Sequence, residues 1–259
     1  MMLRRTPTSM LFLLASATAA SAGVVITGSY SGTQTPTART IEFRVQDGHA
    51  KITSQPGQAI YYDHAAKTLA IVDTEKGTIL EMNEERAKEL GEHAKEAQRM
   101  MEAKLKEMPP DQRAMVEKMM KEQGMTPGGG PPKRLQFAKS GAGKVGAWSC
   151  DRYSASGDGR KVDVCTSAPD ALGVPPADLA VFEGFLDMSE KMSGAASGLG
   201  VSAEPDVPGL PLERTETRAG SVTGRFRIET IRQEALPAPE MKVPAGLKPL
   251  SMPGSPQAH

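Results

Sequence analysis

Between residues 58 and 82 apolar and polar residues alternate in three short runs, QAIYYD, TLAIVD and TILEM, separated by polar breaks. Successive side chains of a strand point to opposite faces, so Ile60 and Tyr62 share a face, as do Leu69 and Ile71, and then Thr78, Leu80 and Met82. The breaks at 64–67 and 73–77 have the length of hairpin loops, and Gly77 can take the positive φ that a bulged turn requires. The pattern predicts a β-meander with one face turned inward. Upstream, residues 24–30 are β-prone and Ser31 to Thr37 form a polar break. Ile41, Phe43 and Val45 then alternate with Glu42 and Arg44, Asp47-Gly48 supplies a turn, and Ala50 and Ile52 lead into the meander. About six strands are therefore expected before residue 83.

At Asn83 the apolar period lengthens to between three and four, and Asn83 itself is a good N-cap with Glu84 and Glu85 behind it. A helix is expected to about Glu107, with Ala87, Leu90, Ala94, Ala97, Met101, Leu105 and Met108 as a narrow apolar stripe. Such a stripe gains little from burial, which suits an edge or a lid. Pro109-Pro110 end it, and a second helix from Asp111 to Gln123 is expected to turn Met115, Val116, Met119 and Met120 inward. Together they make a helical hairpin inserted at 84–124, followed by a Gly-Pro linker at 125–133. Leu135 and Phe137 are expected to start a strand and Ser140 to Lys144 to form a loop. A third helix, Pro175 to Met192, carries Leu179, Phe182, Phe185 and Leu186 and should pack on the sheet. A flexible loop at 194–209, two last strands turning at Gly220, with Phe226 and Ile228 on one face, and a Pro-rich tail at 237–259 complete the chain.

The N-terminus, with Arg4 and Arg5, the apolar run 10–15 and Ala20-Ser21-Ala22, reads as a secretory signal peptide over residues 1–22, cleaved after Ala22. The run is too short to span a bilayer. A twin-arginine signal fits less well, because Thr6-Pro7 follows the pair. Without a cysteine before residue 150 the cleavage site cannot be acylated, so the expected product is a periplasmic protein, or a secreted one, rather than a lipoprotein. Removing Arg4 and Arg5 leaves 29 basic against 31 acidic residues, which gives nucleic acid no attraction. The two cysteines, Cys150 and Cys165, are expected to be bridged in an oxidising compartment. Placing them directly opposite each other in a hairpin centres its turn on Gly157-Asp158 and puts Trp148, two residues before Cys150, on the same face as core.

The segments IYYDHAAKTLAIVDTEKGTILEM, MPPDQRAMVEKMM, WSCDRY with VDVC, GLPLERTE and MKVPAGLKPL, taken in order, resemble a family of exported bacterial proteins of unknown function whose fold is similar to the lipoprotein carriers LolA and LolB. The resemblance covers most of 41–249 and implies an α+β fold: a strongly curved antiparallel sheet, an unclosed half-barrel at 23–236, over an apolar concavity with helices as its lid. Ile60, Tyr62, Leu69, Ile71, Leu80, Trp148 and Phe226 are the candidate apolar ligand face, and Met101, Leu105, Met115, Met119 and Met120 the candidate lid residues.

No catalytic motif stands out. Gly141 to Lys144 has Ala138 where a phosphate loop needs its first Gly, and there is no HExxH or nucleophile elbow. His49, His64, His93 and His259 have no ligand spacing, and the carboxylates of the inserted helices alternate with Lys and Arg as solvated faces do. No enzyme activity, cofactor or metal is therefore expected. The methionines of the insert have three readings, in order: core packing, an adaptable apolar contact surface, and copper(I) ligation without His or Cys. The expected function is binding of a lipid or of an acylated or unfolded protein segment in the concave face. The alternative is an envelope scaffold or stress protein that docks a partner through the helical hairpin.

Overall fold

The computed structural model describes residues 22–33, 35–122, 135–157, 159–191 and 206–250. The expected signal peptide up to residue 21, the linker at 125–133, the loop up to residue 205, and residues 251–259 with His259 lie outside them.

Twelve strands form one open sheet: β1 (Gly23–Gly32), β2 (Thr35–Gln46), β3 (His49–Gln55), β4 (Gln58–Asp63), β5 (Thr68–Asp73), β6 (Thr78–Asn83), β7 (Ala138–Val145), β8 (Trp148–Gly157), β9 (Arg160–Ser167), β10 (Leu210–Arg218), β11 (Ser221–Glu234) and β12 (Lys248–Pro249). Their order is β12-β6-β5-β4-β3-β2-β1-β11-β10-β9-β8-β7, so the two ends do not close into a barrel. Among the described residues only the β12–β6 pairing is parallel. With helices α1 (Glu84–Glu107), α2 (Pro110–Glu122) and α3 (Pro176–Lys191) the class is α+β, as expected.

The register aligns the alternating residues into rows across the strands. Ile26, Phe43, Ile52, Ile60, Ile71 and Leu80 stand abreast, and beside them run Val24, Val45, Ala50, Tyr62, Leu69 and Met82. A one-residue slip would move a whole row to the other face, so this pattern fixes the pairing. At Asp47 and Gly48 both φ values are positive, 50° and 81°, the geometry of the type I′ turn that Asp-Gly favours.

Asn83 caps α1 by accepting from the Arg86 N–H at 2.9 Å. At 1.5 Å per residue α1 is about 36 Å long. Only its start lies on the body, where Ala87 is buried and Leu90 half-buried. Beyond Gly91 the helix leaves the sheet. At its far end the Arg113 guanidinium of α2 donates to the carbonyls of Leu105, Lys106 and Met108, satisfying the free carbonyls of the helix C-terminus.

Three sequence expectations need correction. Ser140 to Lys144 is not a loop: it belongs to β7, which begins at Ala138, after Leu135 and Phe137. As the outermost strand β7 is exposed along most of its length and needs no apolar alternation. A Cβ on Gly143 would lie 2.3 Å from Arg152 Nε and 3.1 Å from Cys165 Sγ, so close packing explains a glycine that reads as a loop former. Next, the cysteines are bridged but not directly opposed. Arg152 faces Cys165 and the pairing continues to Gly157 with Arg160, so the turn falls after Gly157 rather than on it. Gly159 has φ 72°, the positive value that glycine supplies in a hairpin turn. The disulfide therefore runs diagonally, with a Cα separation of 5.6 Å. Finally, the Pro-rich tail expected from residue 237 is packed on the body as far as Leu250. Leu236 and Met241 pack with Val25, and Leu247 packs beside Tyr61, Ala70, Val72 and Ile79 on the back of the sheet. Lys248 and Leu250 donate to the carbonyls of Gly77 and Ile79 at 2.8 and 2.7 Å along the β6 edge. These apolar residues are too widely spaced to register as helix or strand.

Candidate functional site

The seven residues expected on the apolar face do converge. Tyr62, Leu69 and Phe226 are buried in one continuous cluster, with Ile60, Ile71, Leu80 and Trp148 half-buried against it. The face is occupied, however. Helix α3 lies on it, with Phe182 and Phe185 edge-on to Phe43 at centroid distances of 5.4 and 6.4 Å and Phe185 edge-on to Tyr62 at 6.2 Å. Phe185 is 1 % exposed. The cover is thus α3 rather than the inserted hairpin, because α3 presents bulky apolar side chains where α1 offers mainly alanine.

Two residues that the sequence did not single out position this cover. Gly184 of α3 has no side chain where a Cβ would lie 2.7 Å from Tyr62 Oη and 2.8 Å from His64 Nδ1, so its backbone can approach the sheet. An isolated glycine within an apolar helical pattern is the signal that could have found it. Glu84, read only as a dipole-favoured residue, accepts from Lys191 Nζ at 2.5 Å, and Asp187 lies 2.9 Å from the same nitrogen. The hydrogen bond from Lys191, its charge and that of Lys67 hold the Glu84 carboxyl below the usual glutamate range, and the Glu84 bond raises Lys191. The end of α3 is thereby fastened to the start of α1.

The inserted hairpin is an arm rather than a packed lid. Met101, Met115 and Met119, expected to face inward, are 42 %, 69 % and 53 % exposed, and Met100 is 55 % exposed. Among the described lid residues Leu105 alone is buried, at the α1–α2 junction. The Met120 side chain lies outside the described residues. The inward expectation fails because α1 outruns the sheet edge and, among the described residues, α2 has no extensive contact with any strand.

Elsewhere the chemistry is dispersed. A cavity of about 490 Å³ between the back of the sheet and the C-terminal segment is lined by His49, Tyr61, Asp63, Arg86, Met241 and Lys242 among others. His49 Nδ1 there lies 3.7 Å from Asp63 Oδ2. In β10, burial pushes Glu216 up, but the hydrogen bond from Arg218 and the charges of Arg214, Arg218 and Arg160 outweigh it and hold the carboxyl below its usual range. Among the described residues no group of three or more His, Cys, Asp or Glu side chains is placed to hold a metal ion. No helix among them is long and apolar enough to cross a membrane.

No family model matches the chain, and no curated protein matches it. Similar solved structures include PNGF-II in a C2 space group, at 10 % identity and a TM-score of 0.37 over 88 % of this chain and 30 % of that one. MucB in complex with MucA(peri) is similar at 9 % identity and a TM-score of 0.39, over 89 % of this chain and 57 % of that one. The Pseudomonas aeruginosa MucA/MucB complex gives 11 % identity and 0.39, over 89 % and 59 %. The chain therefore spans less than two thirds of each of these neighbours, and at such scores the backbones diverge too far for the likeness to bear on function.

Proposed function

We propose that this chain is a non-catalytic, exported binding protein of the cell envelope that holds apolar segments of other polypeptides on its projecting α1–α2 arm. The observation that carries the reading is the exposure of Met100, Met101, Met115 and Met119 together on that arm, while the apolar sheet face is filled from within. Unbranched thioether side chains adapt to irregular apolar partners, which suits a surface that meets more than one sequence. Burying the exposed part of each methionine contributes on the order of 1 kcal/mol at ~25 cal/mol per Å². Part of the sum offsets the ordering of the bound segment, so the four together are worth at least about tenfold in affinity.

Titration of the chain from Gly23 onward with reduced, carboxymethylated α-lactalbumin, a permanently unfolded polypeptide, tests this. The variant carrying Met100→Gln, Met101→Gln, Met115→Gln and Met119→Gln should bind at least about tenfold more weakly with an unchanged melting temperature. Equal binding by the two proteins would remove the arm from the function.

A second reading, in keeping with the LolA-like resemblance, is a lipid or acyl chain held under α3. It is favoured by the way α3 is fastened at its end, through Lys191 and Glu84 whose side chains are 37 % and 46 % exposed, so that the helix can be unlatched without opening the core first. It requires Phe182 and Phe185 to withdraw from Phe43.

A further inference from the structure

Apart from Met108, which is half-buried at the end of α1, the described methionine side chains divide sharply. Those of the body, Met82, Met188 and Met241, are 2 %, 3 % and 6 % exposed, whereas Met100, Met101, Met115 and Met119 of the arm are 42–69 % exposed. The chain has only two cysteines and both are in the disulfide, so no thiol competes for an oxidant. Thioethers are then the most readily oxidised groups of the molecule, and access decides which of them react.

We infer that the arm methionines are a reversible oxidation site, and that two-electron oxidants, a peroxide or a hypohalous acid, switch off the apolar contact surface by converting them to sulfoxides. With hydrogen peroxide the thioether sulfur attacks one peroxide oxygen. The O–O bond breaks, an S–O bond forms, sulfur gives up two electrons, and the second oxygen leaves as water once protonated. The product is a polar, chiral side chain where a flexible apolar one stood, so the surface no longer suits an apolar segment. The fold is untouched, because the oxidised positions lie beyond the part of α1 that meets the sheet and the buried methionines are shielded. Methionine sulfoxide reductases reverse the change with a thiol as electron donor. The switch rests on the polypeptide-docking reading given above; the location of the oxidised residues does not.

The test treats the chain from Gly23 onward with limiting hydrogen peroxide, maps the added oxygen by peptide mass spectrometry, and titrates reduced and oxidised forms with carboxymethylated α-lactalbumin. Oxidation is expected to appear on Met100, Met101, Met115 and Met119 at least about tenfold faster than on Met82, Met188 and Met241, with a matching loss of binding that reductase treatment restores. A variant with Met100, Met101, Met115 and Met119 changed to Leu should keep its binding after the same treatment. Equal oxidation rates for arm and body would overturn the assignment of the site. Equal binding by reduced and oxidised protein would overturn the switch while leaving the docking reading in place. Absence of binding by the reduced protein would overturn docking and the switch together.

Discussion

Removing the Phe185 ring is the sharpest perturbation of the packing between α3 and the sheet. In Phe185→Ala the void opens between Phe43 and Tyr62, whose rings stand 6.4 and 6.2 Å from the one deleted. A phenylalanine side chain buries roughly 150–250 Å², which at ~25 cal/mol per Å² corresponds to about 4–6 kcal/mol as an upper limit. Two edge-to-face contacts add about 0.5–1.5 kcal/mol each where geometry is good, and partial collapse of the void subtracts. The expected loss is therefore about 3–5 kcal/mol, a large share of the roughly 5–15 kcal/mol that holds a domain folded. Urea unfolding read by the fluorescence of Trp148, the only tryptophan and itself packed against this cluster, measures it directly. The midpoint should fall while the slope stays constant. A loss below about 1 kcal/mol would mean that α3 does not rest on the face in solution, and the argument from its occupancy would collapse.

Gly184→Ala should destabilise the protein even though alanine favours a helix by about 1 kcal/mol, because its Cβ would meet Tyr62 Oη at 2.7 Å; a rise in melting temperature would show that Tyr62 moves aside easily. The Glu84 carboxyl is held below its ordinary value of 4.5, so its contribution is present above that pH and is lost as pH falls through the lower folded value. Glu84→Gln should accordingly lower the melting temperature at pH 7 and make little difference near pH 3, whereas an equal effect at both would place the contribution elsewhere. Replacing Cys150 and Cys165 by Ser should cost about 3 kcal/mol by the chain-entropy estimate for a short loop, and a chemical-denaturation midpoint unchanged from the native protein would contradict that. Truncation after Leu236 uncovers Tyr61, Ala70 and Val72 on the back of the sheet; thermal scans should show a lower transition with aggregation, and an unaltered soluble monomer would mean that the C-terminal segment is dispensable.

The meander was the most legible part of the chain because each strand buries one face and the period of two is hard to mistake. Ile60, Ile71 and Leu80 fall abreast in the sheet as their alternation predicts. Helix α3 was legible for a similar reason, since bulky residues at helical spacing have few alternatives to burial. β7 was not, because an exposed edge strand carries no apolar period and Gly141 and Gly143 answer to a bulge and to the disulfide. The cysteine register failed by two residues, since a diagonal bridge is as feasible as a direct one and only the turn residues choose between them. The arm's stripe was visible in sequence, but a periodic stripe says which residues share a helix face and not whether anything covers that face. Exposure of Met115 and Met119 follows from the length of α1 relative to the sheet, a property of the assembled fold rather than of any local segment.

Native mass spectrometry of the chain purified from its own cells, beside the variant with Met100, Met101, Met115 and Met119 changed to Gln, distinguishes binding on the arm from binding beneath α3. Adducts in the polypeptide range are expected on the native protein and should be lost in the variant. A lipid-range adduct retained equally by both proteins would contradict this and move the binding site from the arm to the sheet face beneath α3.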